Sequence, residues 1–590
     1  MCGIFGYFDR SKASLSDIIL SQMGDTIIHR GPDDHGVYVG EGVALGNRRL
    51  SVVDIAGGHQ PFSSDDGKIV VVQNGEIFNH IELARELEDT GYRCRTHSDT
   101  EVLLRLYERD GIDFLHKLNG MFAIAIFDER IGALHLIRDR IGIKPLYVHE
   151  DGVRTIFASE IKAIFPALKG KPGVDTDALH HYLTFNYVPA PYTIHQGVRH
   201  VMPGHVVTIT RTGRSTRRWW DLAQVAPVHG RSESDWIEEF NEILDDAVRL
   251  RMRADVPFGA FLSGGVDSST IVGLMAHHSV DPIKTFCIGF ADPRYDEAIF
   301  AQAAADRFGT HHVMERVDPN MLDLWPKATY HCDQPHGDIS FLPTYRVSEL
   351  ARKHVTVVLT GDGGDELFAG YDKYRDFFAR PDVMHLTDED FQRRYFQSIS
   401  LFPDAAKTAL YQVNLQRQMA ALDSFEVAQP WFAMVDHQDR INQALFLDMQ
   451  LLLSGNNLVK PDRMGMALSL EARTPFLDYR MMEFAFRMPG ELKLKDGVTK
   501  YLYKKAVAPL IGDELAYRKK QMFTVPVGDW FREELSSYCA EHLERFLQSD
   551  QFFDPNVVRN LLSDHVQGTA NNTRELRAMI ALDHSLNGSF

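Results

Sequence analysis

One short segment constrains the fold of this chain more than any other. Phe261-Leu262-Ser263-Gly264-Gly265-Val266-Asp267-Ser268-Ser269 places a buried strand, a glycine loop and the start of a helix in succession. The glycines let backbone N–H groups approach an anion closely, and a helix beginning at Ser268 adds its positive end. No Gly-Lys-Ser/Thr follows, so this is not a Walker loop. Asp267 would repel phosphate unless a divalent cation lay between them, which implies Mg²⁺. A plain turn is the alternative, but the flanking serines at a strand–helix junction favour a phosphate-binding loop.

Around this loop the sequence alternates between predicted strands and helices. We expect strands over 258–262, 285–290, 312–317 and 355–359, helices over 268–278, 296–308 and 343–353, and mostly helical structure after residue 377. Such alternation predicts a doubly wound parallel sheet that binds ligands at the carboxyl ends of its strands. Thr360-Gly361-Asp362-Gly363-Gly364-Asp365-Glu366 directly follows the fourth strand, so it is expected to lie near the first loop.

The first third of the chain is predicted to be a separate, β-rich domain. A chain of 590 residues exceeds what one core usually serves. We expect strands over 70–72, 121–127 and 133–137, a helix over 79–91 capped by Asn79 with Glu82, and a second helix over 100–109 that begins at Ser98 and Asp99. Periodicity is lost over 211–234, which divides the chain into domains of residues 2–212 and 235–590.

The amino terminus carries a candidate nucleophile. Removal of the initiator methionine would leave Cys2 with a free α-amine, whose intrinsic pKa of about 7.7–8.0 suits it to take the thiol proton. An incidental cysteine is the alternative for Cys2 taken alone. Three further features favour acyl-transfer chemistry: the charged turn Arg30-Gly31-Pro32-Asp33, Arg49 at the mouth of a strand, and Asn74-Gly75-Glu76, which offers an amide and backbone donors for an oxyanion.

These segments resemble the N-terminal-nucleophile glutaminase domain of the glutamine-hydrolysing asparagine synthetases, over about the first two hundred residues. The matching runs are Cys-Gly-Ile-Phe-Gly, Arg-Gly-Pro-Asp, Arg-Leu-Ser-Val, Asn-Gly-Glu-Ile and Ser-Asp-Thr-Glu. The resemblance implies an αββα sandwich with Cys2 as the nucleophile attacking the glutamine amide. By position it assigns the oxyanion hole to Asn74 and Gly75 and the glutamine carboxylate to Arg49. The remaining glutamine-binding residues that it implies are Leu50, Ser51, Val52, Val53, Glu76 and Asp99.

The second domain resembles the ATP pyrophosphatase group, whose members cleave ATP between the α- and β-phosphates. The resemblance implies that Asp267 and Asp365 ligate Mg²⁺ and that Lys500 neutralises phosphate charge. The ATP-binding residues implied in this way are Leu262, Ser263, Gly264, Gly265, Asp267, Ser268, Ile288, Thr360 and Gly361. The segment 469–478 also matches the family, and we interpret its Glu471 and Arg473 as a structural ion pair.

The acceptor is less constrained than the two half-reactions. The resemblance implies that ATP converts L-aspartate to an acyl-adenylate, which ammonia from glutamine turns into asparagine with release of AMP and pyrophosphate. Asp362 stands where the best-known asparagine synthetases carry a glutamate linked to adenylate formation, and one methylene less withdraws the carboxylate by about 1.5 Å. Relatives with this shorter residue include amidotransferases of surface-polysaccharide biosynthesis, so a sugar acid remains the alternative acceptor.

Charge and cysteine usage exclude several other classes of protein. The formal net charge of −18 disfavours nonspecific binding to nucleic acid or anionic membranes, and no apolar stretch is long enough to span a bilayer. The five cysteines are widely spaced and form no C-x-x-C pair, which favours a reducing cytoplasm. A regulatory protein with a decayed enzyme fold is disfavoured because Cys2, Asn74, Asp99, Asp267 and Asp365 are intact. No sequence feature fixes the oligomeric state, and a homodimer is one candidate.

Overall fold

The amino-terminal part folds into two antiparallel six-stranded sheets that pack face to face. A computed structural model describes residues 2–168, 170–290, 296–317, 319–519, 527–533, 535–549 and 552–588. The strands, in chain order, are β1 Cys2–Asp9, β2 Asp34–Gly40, β3 Val43–Arg49, β4 Phe62–Ser63, β5 Ile69–Ile77, β6 Gly120–Asp128, β7 Ala133–Arg138, β8 Tyr147–Glu150, β9 Arg154–Ala158, β10 Val198–His200, β11 His205–Thr210 and β12 Arg214–Arg218. The strand orders are β10-β8-β9-β1-β3-β2 and β12-β11-β7-β6-β5-β4.

Helices cover the outer faces of both sheets. Alternate residues of β1 and β3 pack against residues of β5, β6 and β7 to form the core between the sheets. The outer helices are α1 Asp17–Thr26, which packs on the β1 sheet, and α2 His80–Asp89 and α3 Asp99–Asp110, which pack on the β5 sheet, followed by α4 Thr176–Phe185. The predicted αββα sandwich is therefore confirmed.

The second part contains the predicted parallel sheet, with one strand more than expected. Its strands are β13 Phe258–Phe261, β14 Lys284–Phe290, β15 His311–Val317, β16 Val357–Leu359 and β17 Glu471–Arg473. They pair in parallel in the order β15-β14-β13-β16-β17, which confirms the doubly wound arrangement. The strand β17 was not predicted, because three residues that include a glutamate and an arginine carry no apolar signal.

The helices of this part flank the sheet and then continue as a helical carboxyl-terminal region, as expected. Those associated with the sheet are α5 Glu233–Arg251, α6 Val266–His278, α7 Ala298–Phe308, α8 Trp325–Cys332, α9 Phe341–Arg352, α10 Gly364–Leu367 and α11 Asp372–Phe378. The later helices are α12 Asp388–Ile399, α13 Asp404–Leu410, α14 Val413–Met419, α15 Phe425–Met434, α16 Arg440–Asp448, the π-helix Met449–Asn457, α17 Val459–Met466, α18 Tyr479–Arg487, α19 Tyr501–Ile511, α20 Asp513–Tyr517, α21 Val527–Arg532, α22 Ser536–Ser549, α23 Pro555–Gln567 and α24 Thr573–Asn587. A hairpin of β18 Leu494–Lys495 and β19 Val498–Thr499 precedes α19. Among these described helices, none is both long and apolar enough to cross a membrane.

Of the two predicted helix caps in the amino-terminal part, one is confirmed and one is wrong. Ser98 accepts a hydrogen bond from the Thr100 amide at the start of α3. Asn79 precedes α2 but makes no capping bond. Its side chain instead donates to the carbonyl of Lys117 at 2.9 Å and accepts from the Asn119 amide at 2.9 Å. Hydrogen bonds to residues 117 and 119 have therefore replaced the expected bond to an amide in the first turn of α2.

The two parts meet across a network of buried charges. Arg30 is fully buried and donates to Glu160 at 3.0 Å and to both carboxylate oxygens of Asp462 at 3.0 and 3.1 Å. Lys144 approaches Asp462 to 3.2 Å, and Arg463 approaches Glu160 to 3.0 Å. Since Asp462 and Arg463 belong to α17, these pairs bind the sandwich to the second part.

Candidate active sites

Cys2 opens β1, with β3 on one side and the end of β5 above it. Its backbone nitrogen donates to the side-chain oxygen of Asn74 at 3.2 Å, and its register partner on β3 is Arg49. Burial raises the pKa of the Cys2 thiol, while a hydrogen bond from Asn47, the Leu50 amide and the charge of Arg49 oppose that rise. The thiol therefore needs a base to become a thiolate near neutral pH.

The predicted Asn74-Gly75 pair lies beside Cys2. Gly75 has φ +150°, and a Cβ at this position would lie 2.0 Å from the Met121 carbonyl on β6. Only glycine therefore lets β5 approach β6 this closely at this point. The buried Asn74 side chain also donates to the Ser159 hydroxyl at 3.3 Å, so its orientation is fixed at both ends.

Arg49 lines a cavity of about 440 Å³ between the two parts of the molecule. Its guanidinium donates to the carbonyls of Val53 at 3.1 Å, Asp54 at 2.7 Å and Ile55 at 3.1 Å. The cavity is lined by Asp33, Asp34, Arg49, Leu50, Ser51, Ile55, Val256, Arg352 and Thr356. Of the other predicted pocket residues, Val52 is buried in the core that joins the two parts, and Val53 packs against that core.

Two acidic side chains form the other end of the predicted glutamine site. Asp99 begins α3 and accepts hydrogen bonds from the Ile77 amide at 2.9 Å and from Gln73 at 3.0 Å. Burial, together with the charges of Asp99 and Glu471, raises the pKa of Glu76 well above its ordinary value, although Arg473 opposes the rise. The arrangement therefore disfavours a negative charge on Glu76 beside Asp99.

The glycine loop after β13 has the conformation that its sequence predicts. Gly264 has φ +69°, and a Cβ there would come within 2.3 Å of the Phe300 backbone. The Ser268 hydroxyl accepts from the Ser263 amide at 3.2 Å and lies 3.1 Å from the Ser263 hydroxyl. The helix begins at Val266, slightly earlier than expected, which places Asp267 in its first turn.

Asp267 and Asp365 converge on the ammonium group of Lys500. The Lys500 nitrogen lies 2.5 Å and 2.6 Å from the two oxygens of Asp267 and 2.7 Å from an oxygen of Asp365. Burial lowers the pKa of Lys500, but the two carboxylates outweigh it and the net shift is upward. At Gly370 a Cβ would lie 2.0 Å from Asp365 and 2.2 Å from Lys500. Only a residue without a side chain therefore fits beside this cluster.

The second loop touches the first. A Cβ on Gly361 would lie 2.7 Å from the Asp267 Cβ. The Thr360 hydroxyl donates to Asp362 at 2.6 Å. Burial raises the pKa of Asp362, and the charges of Asp365 and Asp267 add to the rise, while the Thr360 hydrogen bond and Lys460 oppose it.

The predicted adenosine-contacting side chains lie at the same edge of the sheet. Leu262 and Ile288 are buried where β13 and β14 end, and the Leu262 amide donates to the Phe286 carbonyl at 2.9 Å. The predicted nucleotide residues are thus collected at the carboxyl ends of β13, β14 and β16.

Sequence reasoning missed a polar cluster beside Asp362. Lys460 donates to Asp338 and to Ser340, each at 3.0 Å, and Asn456 donates to the same carboxylate at 2.9 Å. Burial disfavours ionisation of Asp338, yet Lys460 and Asn456 hold the pKa of this carboxyl well below its usual range. A tandem of polar residues in an otherwise apolar helical stretch, Asn456-Asn457, was the available signal.

A second missed cluster involves the last residue of the second loop. Glu366 is buried and accepts from Tyr371 at 2.6 Å and from Asn457 at 2.5 Å. Asn456 and Asn457 end the π-helix Met449–Asn457, a rare geometry that is frequent at functional sites. The widened turn directs the two adjacent amides to different carboxylates, those of Asp338 and Glu366.

The ion pair expected within 469–478 is confirmed. Arg473 donates to Glu471 at 2.5 Å, and both side chains are fully buried on β17. Arg473 also approaches Glu76 to 3.9 Å. This pair therefore lies on the edge strand of the parallel sheet, next to the acidic end of the predicted glutamine site.

Comparison with known proteins gives matches over both parts. The family described as asparagine synthase matches residues 239–587, and the glutamine amidotransferase domain matches residues 1–220. Asparagine synthetase [glutamine-hydrolyzing] 1 of Bacillus subtilis is 34% identical over 100% of this chain and 97% of its own length. A putative asparagine synthetase [glutamine-hydrolyzing] of Mycobacterium tuberculosis H37Rv is 32% identical over 94% of this chain and 91% of its own. Amidase chyE of Penicillium rubens is 27% identical over 90% of this chain and 89% of its own.

Proposed function

The chain belongs to the glutamine-hydrolysing asparagine synthetase family, and we propose that it transfers the amide nitrogen of glutamine to L-aspartate. The reaction consumes ATP and yields L-asparagine, glutamate, AMP and pyrophosphate. Glutamine-dependent amidation follows from the family itself. The choice of aspartate and the roles of individual residues are the proposed part.

Glutamine hydrolysis is assigned to Cys2. Once the initiator methionine is removed, the α-amine of Cys2 takes the thiol proton, the sulfur attacks the side-chain amide carbon, and ammonia leaves with formation of a thioester. Water then hydrolyses the thioester to glutamate. The 3.2 Å contact between the Cys2 nitrogen and Asn74 supports this assignment, because it puts the oxyanion donor beside the nucleophile. Arg49 and Asp99 supply the cation and anion that a zwitterionic amino acid requires.

ATP activation is assigned to the two loops at the edge of the parallel sheet. Asp267 and Asp365 fit Mg²⁺, because hard carboxylate oxygens from both loops already converge on one cation, the Lys500 ammonium. When bound, Mg²⁺ would neutralise charge on the phosphates. Lys500 would then be released from the carboxylates to contact phosphate oxygens, while the Ser263-Gly264-Gly265 amides hold the leaving pyrophosphate.

Two opposite charges beside Asp362 support aspartate as the acceptor. Lys460 supplies a cation and Asp338 an anion in one hydrogen-bonded cluster, and Glu366 adds a second carboxyl nearby. An amino-acid acceptor carries an ammonium and a carboxylate besides the carboxylate that reacts, so it needs both signs of charge. A uronic acid would need neutral hydroxyl partners in their place.

Ammonia must reach the adenylate without meeting water, because ammonium is not nucleophilic. Apolar side chains of the sandwich near Cys2 join one core with side chains that flank the nucleotide loops, which supports internal transfer. That core includes Leu50, Val52, Met121, Ile141 and Ile143 from the sandwich, and Leu262, Leu359 and Leu477 from the second part.

The deciding assay is conversion of labelled aspartate to labelled asparagine in the presence of glutamine and ATP. We expect product only with both co-substrates, and pyrophosphate release that depends on aspartate. A panel of carboxylate acceptors, including uronic acids, tests the alternative. If a uronic acid stimulates pyrophosphate release and aspartate does not, the shorter carboxylate of Asp362 marks a different acceptor class, and aspartate is wrong.

A further inference from the structure

Asp54 is the hub of the loop that follows Arg49. Its carbonyl accepts from the Arg49 guanidinium at 2.7 Å, and its carboxylate accepts from the Gly57 amide at 2.9 Å and from the His97 amide at 2.8 Å. Asp54 itself has the left-handed φ of +48°, which is uncommon for this residue type outside such hydrogen-bonded turns. Because His97 precedes Asp99 by two positions, Asp54 holds the cationic and anionic ends of the glutamine site in register.

The loop is held from outside by one residue of the second part of the chain. The Asp255 amide donates to the Val52 carbonyl at 2.9 Å, and the Asp54 amide donates to the Asp255 carboxylate at 2.7 Å. Asp255 thus binds the loop at two positions, Val52 through its backbone amide and Asp54 through its carboxylate. No other support for the Asp54 amide is seen among the described residues.

The segment 251–255, here called the connector, is attached on its other side to the nucleotide loops. Arg473 donates to the carbonyls of Arg251 at 2.8 Å and Arg253 at 2.6 Å. The Arg473 carbonyl in turn accepts from the Thr360 amide at 2.9 Å, at the start of the second loop. Downstream the connector leads into β13, which ends at the Ser263-Gly264-Gly265 loop.

The connector also fixes the end of β5. Arg253 donates to the Phe78 carbonyl at 2.6 Å and forms two hydrogen bonds with Glu82, at 2.5 and 2.7 Å. Phe78 follows Ile77, whose amide is bound by Asp99. The connector therefore contacts residues that hold the glutamine site, through Asp54 and Phe78. It also contacts Arg473, which binds the second nucleotide loop, and it leads directly into the strand before the first.

We propose that Asp255 is a positioning residue for the glutamine site, through which the synthetase part sets the geometry of Arg49. Asp255 is not one of the predicted glutamine- or ATP-binding residues. It acts through Asp54, whose carbonyl orients the guanidinium that meets the glutamine carboxylate. The inference rests on the proposed glutaminase function. It also gives a physical route by which occupation of the nucleotide loops changes glutamine affinity, since the nucleotide loops and the loop that follows Arg49 both contact the connector.

The test compares Asp255→Ala with Asp255→Asn in glutaminase and ammonia-dependent synthesis assays. Alanine removes the acceptor of the Asp54 amide, so we expect the KM for glutamine to rise about tenfold with kcat within about threefold of wild type. Asparagine keeps an oxygen acceptor of the same reach, so its KM should stay within about threefold. Ammonia-dependent pyrophosphate release should be unchanged in both variants. Asp281→Ala, at an exposed aspartate of the same domain, is the matched control.

Each outcome bears on the proposal. An unchanged glutamine KM in Asp255→Ala, with an active wild type, overturns this inference and leaves the proposed function standing. A parallel loss of ammonia-dependent synthesis overturns it as well, because the role would then lie in the synthetase fold. Equal defects in the alanine and asparagine variants show that the hydrogen-bond acceptor is not what matters, which also contradicts it. A wild-type protein without glutaminase activity overturns both.

Discussion

The proposed glutamine site and the proposed nucleotide site differ in the partners that hold their charged side chains. In the proposed glutamine site every hydrogen bond to the charged groups comes from a neutral partner: Arg49 donates to three carbonyls, with the Asp34 carboxylate at 4.0 Å, and Asp99 accepts from a backbone amide and the side chain of Gln73. In the nucleotide site the charges hold one another, with Lys500 between Asp267 and Asp365. The first arrangement leaves its charges available to a ligand, while the second has neutralised them.

This difference predicts different responses to substrate. A site whose charges are held by backbone groups can bind a zwitterion without rearrangement, so little reorganisation is required. A site whose cation and anions are already paired must exchange those contacts when ATP and Mg²⁺ arrive. We therefore expect the glutamine site to be rigid and the Lys500 cluster to move.

The largest effect should come from Cys2→Ala, which separates the two sites completely. Glutamine-dependent synthesis should fall by about 10³-fold or more because the nucleophile is gone, while ammonia-dependent synthesis stays within about twofold. Asparagine formation with each nitrogen source is the measurement. Residual glutaminase activity in the purified variant would contradict the assignment of the nucleophile.

The reverse separation should come from Asp267→Asn and Asp365→Asn. Each loses a carboxylate of the convergent pair, so ATP cleavage should drop by about 10²-fold or more while glutaminase activity is retained. Chelation of divalent cations should have the same effect on the wild type. Chromatography of the nucleotide products should show AMP and pyrophosphate; ADP and orthophosphate would exclude adenylation.

A smaller effect is expected from the length of the carboxylate at position 362. Asp362→Glu keeps the charge and extends its reach, so synthesis should remain within about tenfold of wild type. Asp362→Asn can neither take a proton nor balance a cation, and its kcat should fall by about 10²-fold. The pyrophosphate assay with aspartate measures both. If the two variants are equally impaired, reach matters as much as charge at this position.

The smallest effect concerns a second buried lysine, which lacks the partners that Lys500 has. Lys493 has no hydrogen-bond acceptor among the described residues, and its nitrogen lies 4.7 Å from the centre of the Phe486 ring. Burial lowers the pKa of Lys493 to about 7, with Asp439 opposing the fall. Between pH 7 and its ordinary value of 10.5 the unfolded chain binds a proton that the native protein lacks, so stability rises with pH in this window.

Lys493→Met should therefore stabilise the fold, and more at pH 6 than at pH 9. The difference in unfolding free energy between these two pH values should be on the order of 1–3 kcal/mol. Urea unfolding of both proteins at each pH measures it. An equal effect of the substitution at pH 6 and pH 9 would show that the pKa of Lys493 is not lowered in the folded protein.

Local sequence signals predicted most of the fold. Three of the five parallel strands, β13, β14 and β16, are apolar runs followed by turn residues, and such runs can be read without tertiary information. The strand β17 could not be predicted, because Glu471 and Arg473 are buried only as a pair. The Asn79 cap was wrongly predicted because Lys117 and Asn119, distant in sequence, compete for its side chain.

The site residues also fall into those that local motifs predict and those that only tertiary contacts bring together. Residues within compact motifs, such as Ser263 and Asp267, are recognisable from sequence. Asn74 was recognised too, although it lies within β5 rather than after the strand, as the sequence had suggested. The Lys460–Asp338 pair joins residues 122 positions apart, and Asp54 meets Asp255 across 201 positions. No local pattern marks either contact, since the first depends on the tertiary packing of the second part and the second on how the two parts dock.

The buried charges at the domain boundary limit how this protein can be taken apart or recombined. In the intact protein, replacing Asp462 by alanine would remove a buried partner of both Arg30 and Lys144, and removing one partner of a buried pair costs about 3–5 kcal/mol. A chimera that borrows its first domain from a distant homologue must therefore also bring matching residues at 462 and 463, although both lie in the second part of the chain.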